Sequence, residues 1–581
     1  MPQNKAVDVV IIGAGWAGGI MAAELTKAGL SVVALERGHA RTMVDYQHAH
    51  DELRYSLRYE MMQNTALETC TLRHNLSERA LPIRQLGSFL PGTGVGGAGV
   101  HWNGQTWRFH PHDFTIYSDT LARYGAKKLP EETTIQDWGL TYTQLEPYYD
   151  KFEYMAGIAG KAGNIQGELQ AGGNPFEGPR SREYPVPPMK DAHGPSVFRD
   201  AASKLGYHPF PSPSANLSQV YTNPDGISRG SCMYCGFCET YGCEVGAKAD
   251  PVVTVLPVAL QSGHFELRTE ANVFSIQHDG QRATGVLYYD AQGVVQEQPA
   301  QLVVLTAYTF NNVRLLLLSQ MGTPYNPQTG QGVVGKNYCY QTVATGAGFF
   351  DSQTFHRYMG SGANGYTIDD FNADNFDHSK LDFIGGGSIS CYSTGARPIQ
   401  SLPVPTGTPS WGAQWKKAIR QYYDHVISLQ FLGESLAYRT HYLDLDPTYR
   451  DAWGNPLLRI TFDWQPQERQ MVAFAGAKMH EILQAAGASK FVAQSTLPDH
   501  YSVVTYQSTH NTGGAIIGND PATSVVNSYC QMWDFENVFV IGASAFPQNA
   551  GFNPTGTVGA LAYRAADGIV HKYLRSGGLI V

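Results

Sequence analysis

Four of the chain's eight cysteines fall within twelve residues, at Cys232, Cys235, Cys238 and Cys243 in the run SCMYCGFCETYGCEVGAK. Thiolates are the ligands that iron–sulfur clusters require, and cysteines this close on a turn-rich segment can converge on one cluster without distant residues. Gly236 and Gly242, between them, let the backbone wrap. Disulfides and a structural zinc are the alternatives. Zinc also uses C-x2-C pairs, but it usually draws its two pairs from separated segments. The other four cysteines, Cys70, Cys339, Cys391 and Cys530, stand alone and read as ordinary buried thiols.

The same chain opens on a nucleotide-binding loop, which turns the cysteine run toward redox chemistry. Gly13, Gly15 and Gly18 give G-x-G-x-x-G between a continuous apolar strand at 7–12 and a helical pattern at 14–30, with a second buried strand at 31–35. The glycines serve the tight turn, the close approach of a pyrophosphate and helix–strand packing. Glu36 stands 23 residues after Gly13, where its carboxylate can accept from ribose hydroxyls. This fingerprint serves NAD and FAD alike. A second glycine loop follows in LPGTGVGGAGVHWNGQTWRF, with five glycines in eight residues ahead of His101 and Trp102. A flexible linker of that glycine content would be Ser-rich and free of bulky aromatics, so the loop is expected to lie against the cofactor.

These features must be positioned by more than one domain, and 581 residues give room for them. The 43% hydrophobic and 16% charged composition is that of a soluble globular protein, and a formal net charge of −9 argues against a nucleic-acid partner. The 62 glycines exceed the ~7% average usage. No apolar run reaches the ~18 residues of a membrane span. The first strand begins too early for a cleaved export signal, so the chain is expected either to stay in the cytoplasm or to travel with a partner that carries one. Farther along, a helix is expected at 143–155, with Thr143 and Glu146 at capping-box spacing. Residues 265–305 alternate as antiparallel strands with turns at 279–280 and 292–293, and a strand at 302–305 leads into a helix through Arg314. Helices are expected near 413–430 and 466–487, a strand at 538–541 and a last helix at 557–573.

In this order, the N-terminal loop through Glu36, GTGVGGAGVHW, STHNTGG around His510 and GASAFPQNAGFNPTGTVGALAYRAADGI resemble the glucose–methanol–choline (GMC) oxidoreductases over nearly the whole chain. The cysteine run is similar to the loop in flavoprotein subunits of bacterial membrane-bound sugar and sugar-acid dehydrogenases. The resemblance implies an α/β fold: a Rossmann-like FAD-binding domain, a second α+β substrate domain and an iron–sulfur loop. The expected division is FAD-binding at 1–205 and 206–340 with the cluster loop at 228–250, substrate-binding at 341–500, and an FAD-binding and catalytic part at 501–581. It further implies FAD contacts from Gly94, Gly97, Trp102, Asn103, Val273 and Ala543, and a covalent flavin link at His101, against the alternative that His101 only packs beside the ring.

Oxidising an alcohol moves its hydroxyl proton to a base and its carbinol hydride to flavin N5. The resemblance gives His510 the base and Asn553 the group that fixes the alcohol oxygen. The expected substrate is D-gluconate, converted to 2-keto-D-gluconate, with fructose, 2-ketogluconate, glucose or a polyol as alternatives. Three cysteine ligands, Cys232, Cys238 and Cys243, imply a 3Fe–4S cluster, and Cys235 as a fourth implies 4Fe–4S. The implied partners are a small subunit with a twin-arginine (Tat) signal and a multihaem cytochrome c. They place the chain on the periplasmic face of the bacterial inner membrane, held there only through its partners. The rival expectation is a cytoplasmic, O₂-using oxidase with a structural zinc. Tyr308 departs from the small residues usual at its position and is expected to alter the wall near the flavin.

Overall fold

The structure is a computed structural model that describes residues 2–47, 50–84, 89–395, 399, 403–504 and 508–580. The apolar run Val7–Ile12 is a central strand of a seven-stranded sheet. It pairs in parallel with Val32–Leu35 on one side and with Val295–Leu305 on the other. Phe265–Arg268 and Val538–Val540 extend this parallel layer outward. Val9, Val10, Ile11, Val303 and Val304 are completely buried. Strands covered on both faces need such continuous apolar runs, and each such side chain contributes roughly 1.5–3 kcal/mol by leaving water.

The long strand Val295–Leu305 changes partner along its length. Its first half pairs antiparallel with Ala283–Tyr289, which pairs in turn with Asn272–His278. The exchange falls between Pro299, opposite Gly285, and Ala300, opposite Val7. The turns expected at 279–280 and 292–293 are present, with Gly280 and Gly293 both at positive φ.

Helix Trp16–Lys27 packs against Thr555–Gly568, which also packs against Tyr142–Ala156. Gly559 permits that approach, since a Cβ there would lie 2.2 Å from Phe152 Cδ2. The cap of Tyr142–Ala156 is Thr141 with Gln144, not Thr143 with Glu146 as expected. Glu146 is drawn away to Arg108, which bonds it at 2.9 Å. The last helix ends at Gly568, and a π-helical turn, Ile569–Tyr573, continues it.

A second sheet has six antiparallel strands in the order Lys490–Ala493, Thr342–Phe349, Val426–Gly433, Gly387–Thr394, Gly360–Ile368 and Phe210–Pro211. Helices Pro466–Ala485 and His193–Lys204 pack on it. The helix expected over 413–430 stops at Tyr422, and Val426–Gly433 is a strand paired on both edges. Full ladders to both neighbours outweigh the weak helical pattern of that segment. Tyr442–Arg450 and Pro456–Thr461 form a smaller sheet with Cys70–Arg73 and Leu81–Pro82, tying the middle of the chain to its start. Among the described residues, no helix is long and apolar enough to cross a membrane.

Candidate active site

One cavity of about 280 Å³ is lined by residues from the parallel sheet, both glycine loops, the six-stranded sheet and the C-terminal segment. Gly13, Gly15, Glu36, Gly97, His101, Trp102, Asn103, Val273, Ala543, His510 and Asn553 all line it, which gathers positions scattered over 540 residues of chain. Gly13 adopts φ +95°, a conformation that L side chains rarely take. Gly18 stands behind it, where a Cβ would lie 2.0 Å from the Gly13 carbonyl oxygen. That is the helix–strand packing role its spacing predicts. Gly94 acts one step removed, donating its N–H to Glu36 at 3.1 Å.

Glu36 accepts two further backbone N–H groups, from Gly38 at 2.9 Å and Ala14 at 3.1 Å. A carboxylate has about four lone-pair sites, so three bonds to three loops leave room for a ribose hydroxyl. Glu36 therefore assembles the nucleotide end of the cavity as well as facing it.

At the opposite end, the hydrogen bonds around His510 define which ring nitrogen carries the proton. Gln341 is completely buried, and its Nε2 donates to the Ala550 and Phe552 carbonyls at 2.9 and 3.1 Å. Carbonyls only accept, so Gln341 presents Oε1 to His510 Nδ1, with which it makes a short hydrogen bond. Nδ1 must be the donor in that bond. Nε2 then keeps its lone pair and faces Asn553 Nδ2 at 3.2 Å. Asn553 is oriented in the same way: the Trp107 indole N–H, which can only donate, bonds its Oδ1 at 3.0 Å. Trp107 is itself held by stacking on Phe552, with ring centroids 4.7 Å apart. Burial pushes the His510 imidazole down to about 3, so the ring is neutral at neutral pH. Asn549 pins the His510 carbonyl at 3.0 Å, and Gly513 N–H bonds Ala543 O at 3.0 Å.

Tyr308 lines the cavity as expected, at φ +73°, a strained conformation for an aromatic residue. Its hydroxyl donates to Thr509 O at 3.1 Å and accepts from Asn511 Nδ2 at 2.7 Å. The added bulk is thus spent on holding the His510 loop.

His101 is buried, and among the described residues its Nε2 has no hydrogen-bond partner. Burial, with Lys248 and Arg41 nearby, pushes its pKa down to about 3. An orphaned neutral ring nitrogen in a cavity lined by both glycine loops fits a residue that contacts a cofactor.

None of the eight cysteines is in a disulfide. The cysteine loop curls through Tyr234, Gly236 and Thr240, all at positive φ. Backbone N–H groups of Tyr234 and Lys248 point at Cys232 Sγ (3.3 Å) and Cys243 Sγ (3.5 Å). Burial pushes the Cys232 thiol up to about 11 and Cys238 to about 12, and the charge of each neighbouring thiolate adds to the effect. Among the described residues, no group of three or more His, Cys, Asp or Glu side chains is close enough to hold a metal ion. The four thiols lie within electrostatic reach of one another and beside the buried Lys248, but they are not drawn together as a ligand set, and the iron–sulfur expectation is not met by their geometry.

Gln341, Trp107 and Lys248 escape sequence reasoning. Trp107 is visible only as a bulky residue after the glycine loop, and nothing around Gln341 in KNYCYQTV marks it.

Residues 134–343 and 439–562 match models described as GMC oxidoreductase. The chain is 47% identical to the gluconate 2-dehydrogenase flavoprotein of Pantoea cypripedii, covering 100% of this chain and 96% of that one. It is 28% identical to 2-methyl-1,2-propanediol dehydrogenase of Mycolicibacterium austroafricanum, over 97% of this chain and 95% of the other. The fructose dehydrogenase large subunit of Gluconobacter japonicus is 25% identical, over 98% of both chains. Among solved structures, pyridoxine 4-oxidase from Mesorbium loti superposes with a TM-score of 0.58 at 16% identity, covering 97% of this chain and 99% of that one, a likeness of fold.

Proposed function

The chain belongs to the GMC oxidoreductase family, FAD-dependent enzymes of Rossmann-like fold, and from that premise we propose that it oxidises a secondary alcohol of a sugar acid, D-gluconate to 2-keto-D-gluconate. The observation that carries the chemistry is the Gln341–His510–Asn553–Trp107 chain, which leaves His510 Nε2 as a proton acceptor facing the cavity. The full-length 47% identity to a gluconate 2-dehydrogenase flavoprotein supports the substrate.

The substrate hydroxyl enters between His510 and Asn553. Its oxygen accepts from Asn553 Nδ2, which Trp107 has already turned toward it, and its proton passes to His510 Nε2. Gln341 Oε1 holds the Nδ1 proton throughout, so the ring keeps one tautomer and Nε2 stays the acceptor. Gln430, on the six-stranded sheet, and Gln105 add neutral amides to the cavity wall, suited to further hydroxyls. Gly13, Gly15, Glu36, Gly97, Val273 and Ala543 would hold FAD, which supplies the hydride acceptor. His101 Nε2 is the atom that would carry a covalent link to the flavin. Cys232, Cys238 and Cys243, with Cys235 as a fourth candidate, would hold an iron–sulfur cluster, which supplies one-electron storage.

The reading extends to a haem-protein acceptor, a small partner subunit bearing the export signal and a periplasmic location. The full-length match to a dehydrogenase flavoprotein supports a partner subunit, and the acceptor and the location rest on the resemblance of the cysteine loop alone. Anaerobic mixing with gluconate, fructose, glucose, 2-ketogluconate and sorbitol tests the reading. Gluconate should bleach the flavin fastest, and failure of every sugar acid to do so would overturn it. Acid precipitation checks His101: the yellow colour should stay with the polypeptide and should be released in His101→Ala.

A further inference from the structure

Gln105 is only 2% exposed and lines the cavity. Its side chain is aimed by Tyr392, whose hydroxyl donates to Gln105 Oε1 at 3.1 Å. Desolvation pushes the Tyr392 pKa up to about 12, so the phenol keeps a proton to donate, while the hydroxyls of Ser390, Thr367 and Ser212 bond to its oxygen. Those three hydroxyls are linked in turn, Ser212 to Thr367 at 2.7 Å and Thr367 to Ser390 at 2.8 Å. The Gln105 amide therefore meets Tyr392 through its carbonyl. Its NH₂ group, which has no partner among the described residues, is left for the cavity.

Neutral amides serve hydroxyls in general, but orientation narrows what each one takes. Gln430 stands across the ladder from Ser390, and among the described residues neither end of its amide is engaged, so it can both donate and accept. Gln105 has only donors to offer, and a carboxylate is the oxygen group that only accepts. The cations that line the cavity among the described residues, Arg37 and Arg314, are already engaged, Arg37 by Glu68 at 3.0 Å and Arg314 by Asp451 at 2.6 Å. Position agrees with chemistry. The carboxylate of gluconate is bonded directly to the carbon that would be oxidised, so its receiver must neighbour the group that fixes the alcohol oxygen. Gln105 stands two residues before Trp107, whose indole orients Asn553.

We propose that Gln105 is a specificity-determining residue that receives the substrate carboxylate through the amide NH₂ group that Tyr392 turns toward the cavity. This deepens the gluconate reading above and rests on it. A buried donor left without an acceptor is costly, so a substrate that brings an acceptor-only oxygen to this point gains over one whose hydroxyl has a proton of its own to place.

The test compares D-gluconate with D-sorbitol, which carries CH₂OH in place of the carboxylate on an otherwise identical chain. Anaerobic stopped-flow bleaching of the flavin in the purified full chain gives, for each substrate, the limiting rate divided by the half-saturating concentration. Gln105→Glu sets a carboxylate against a carboxylate and should lower the gluconate-to-sorbitol ratio of these efficiencies at least tenfold from wild type. Gln105→Leu removes the donors at similar size and should lower it about tenfold, and Tyr392→Phe, which unties Gln105 without removing it, should lower it about threefold. An unchanged ratio in Gln105→Glu with flavin retained overturns the proposal. If Gln105→Glu does not retain flavin, Tyr392→Phe decides: a lowered ratio supports the proposal and an unchanged one overturns it. Wild-type flavin bleached by sorbitol and not by gluconate, or by neither, would instead overturn the gluconate reading, and that is seen before any variant is made.

Discussion

The surroundings of His510 and of the cysteine loop are built on different plans. Around His510 one hydrogen-bonded chain runs in a fixed sense, from the Ala550 and Phe552 carbonyls through Gln341, His510 and Asn553 to the Trp107 indole. Around the cysteine loop no such chain forms: among the described residues His101 Nε2 and Asp250 Oδ2 are buried without partners, and burial drives the thiols away from ionisation. On the function proposed above, the proton chemistry belongs to the chain's own atoms, which orient one another. On the same proposal, the electron chemistry belongs to groups taken up from outside, which the buried unpartnered atoms would meet.

Separating the two ends gives the largest expected effect. Cys238→Ser should abolish turnover with a cytochrome-type acceptor while substrate still bleaches the flavin in a single anaerobic turnover, and loss of both activities would show that the ends are not independent. At the other end, His510→Ala should slow that bleaching by ~10² to 10⁴, the usual reach of general base catalysis, with flavin and iron content unchanged. Stopped-flow absorbance reads both variants, and normal bleaching in His510→Ala would remove the assignment of the base.

Gln341 sharpens the comparison, because it touches neither substrate nor cofactor in the scheme. Gln341→Leu leaves a buried Nδ1–H unpaired and should cost roughly tenfold in bleaching rate, the scale of one lost buried hydrogen bond. The pH profile adds a sign. The base is the neutral ring, which is lost as pH falls through the pKa, and burial holds that pKa near about 3. Bleaching by wild type should therefore show no His510 limb from about pH 7.5 down to about pH 5. Gln341→Glu places a carboxylate on Nδ1–H, raises the pKa and should move the acid limb upward. A wild-type limb near the ordinary histidine value would contradict the buried, neutral ring.

The smallest effect is a control on both ends. Thr141→Ala removes the cap whose side chain accepts from Gln144 N–H at 3.3 Å and should cost about 1 kcal/mol in thermal unfolding. Neither bleaching nor acceptor turnover should change.

Local chemistry was legible in the sequence wherever neighbours along the chain build the feature. The loop Gly13-x-Gly15-x-x-Gly18, the acid at Glu36 and the strand 7–12 depend on residues within a few turns of one another, and the structure places them as their spacing predicts. The strand Val426–Gly433 was misread as helix because its state is decided by ladders to Thr342–Phe349 and Gly387–Thr394, about 80 and 40 residues upstream. Gln341 was invisible for a related reason. Its meaning comes from His510, 169 positions away, and from carbonyls more than 200 positions away. The cap at Thr141 was missed by two residues because Glu146, the more familiar capping acid, is claimed by Arg108. Tyr308 was noticed as an oddity of size, whereas its role lies in a hydroxyl that reaches the His510 loop.

The partner-switching strand Val295–Leu305 has a consequence for the order of synthesis. Its parallel half lies between Val7–Ile12 and Val538–Val540, so the central sheet joins the first, middle and last parts of the polypeptide. At ~5–20 residues per second on the ribosome, the first strand waits on the order of 15–60 s for its neighbour and about as long again for the strand beyond. Through that interval an apolar edge is open to other chains, and pairings so distant along the backbone form slowly. The nucleotide cavity, which needs Ala543 and Asn553 for its far wall, cannot close until the polypeptide is nearly finished. Cofactor capture is therefore a late event in biogenesis, and a chaperone that shields the early strands should raise the yield of yellow protein more than added flavin does.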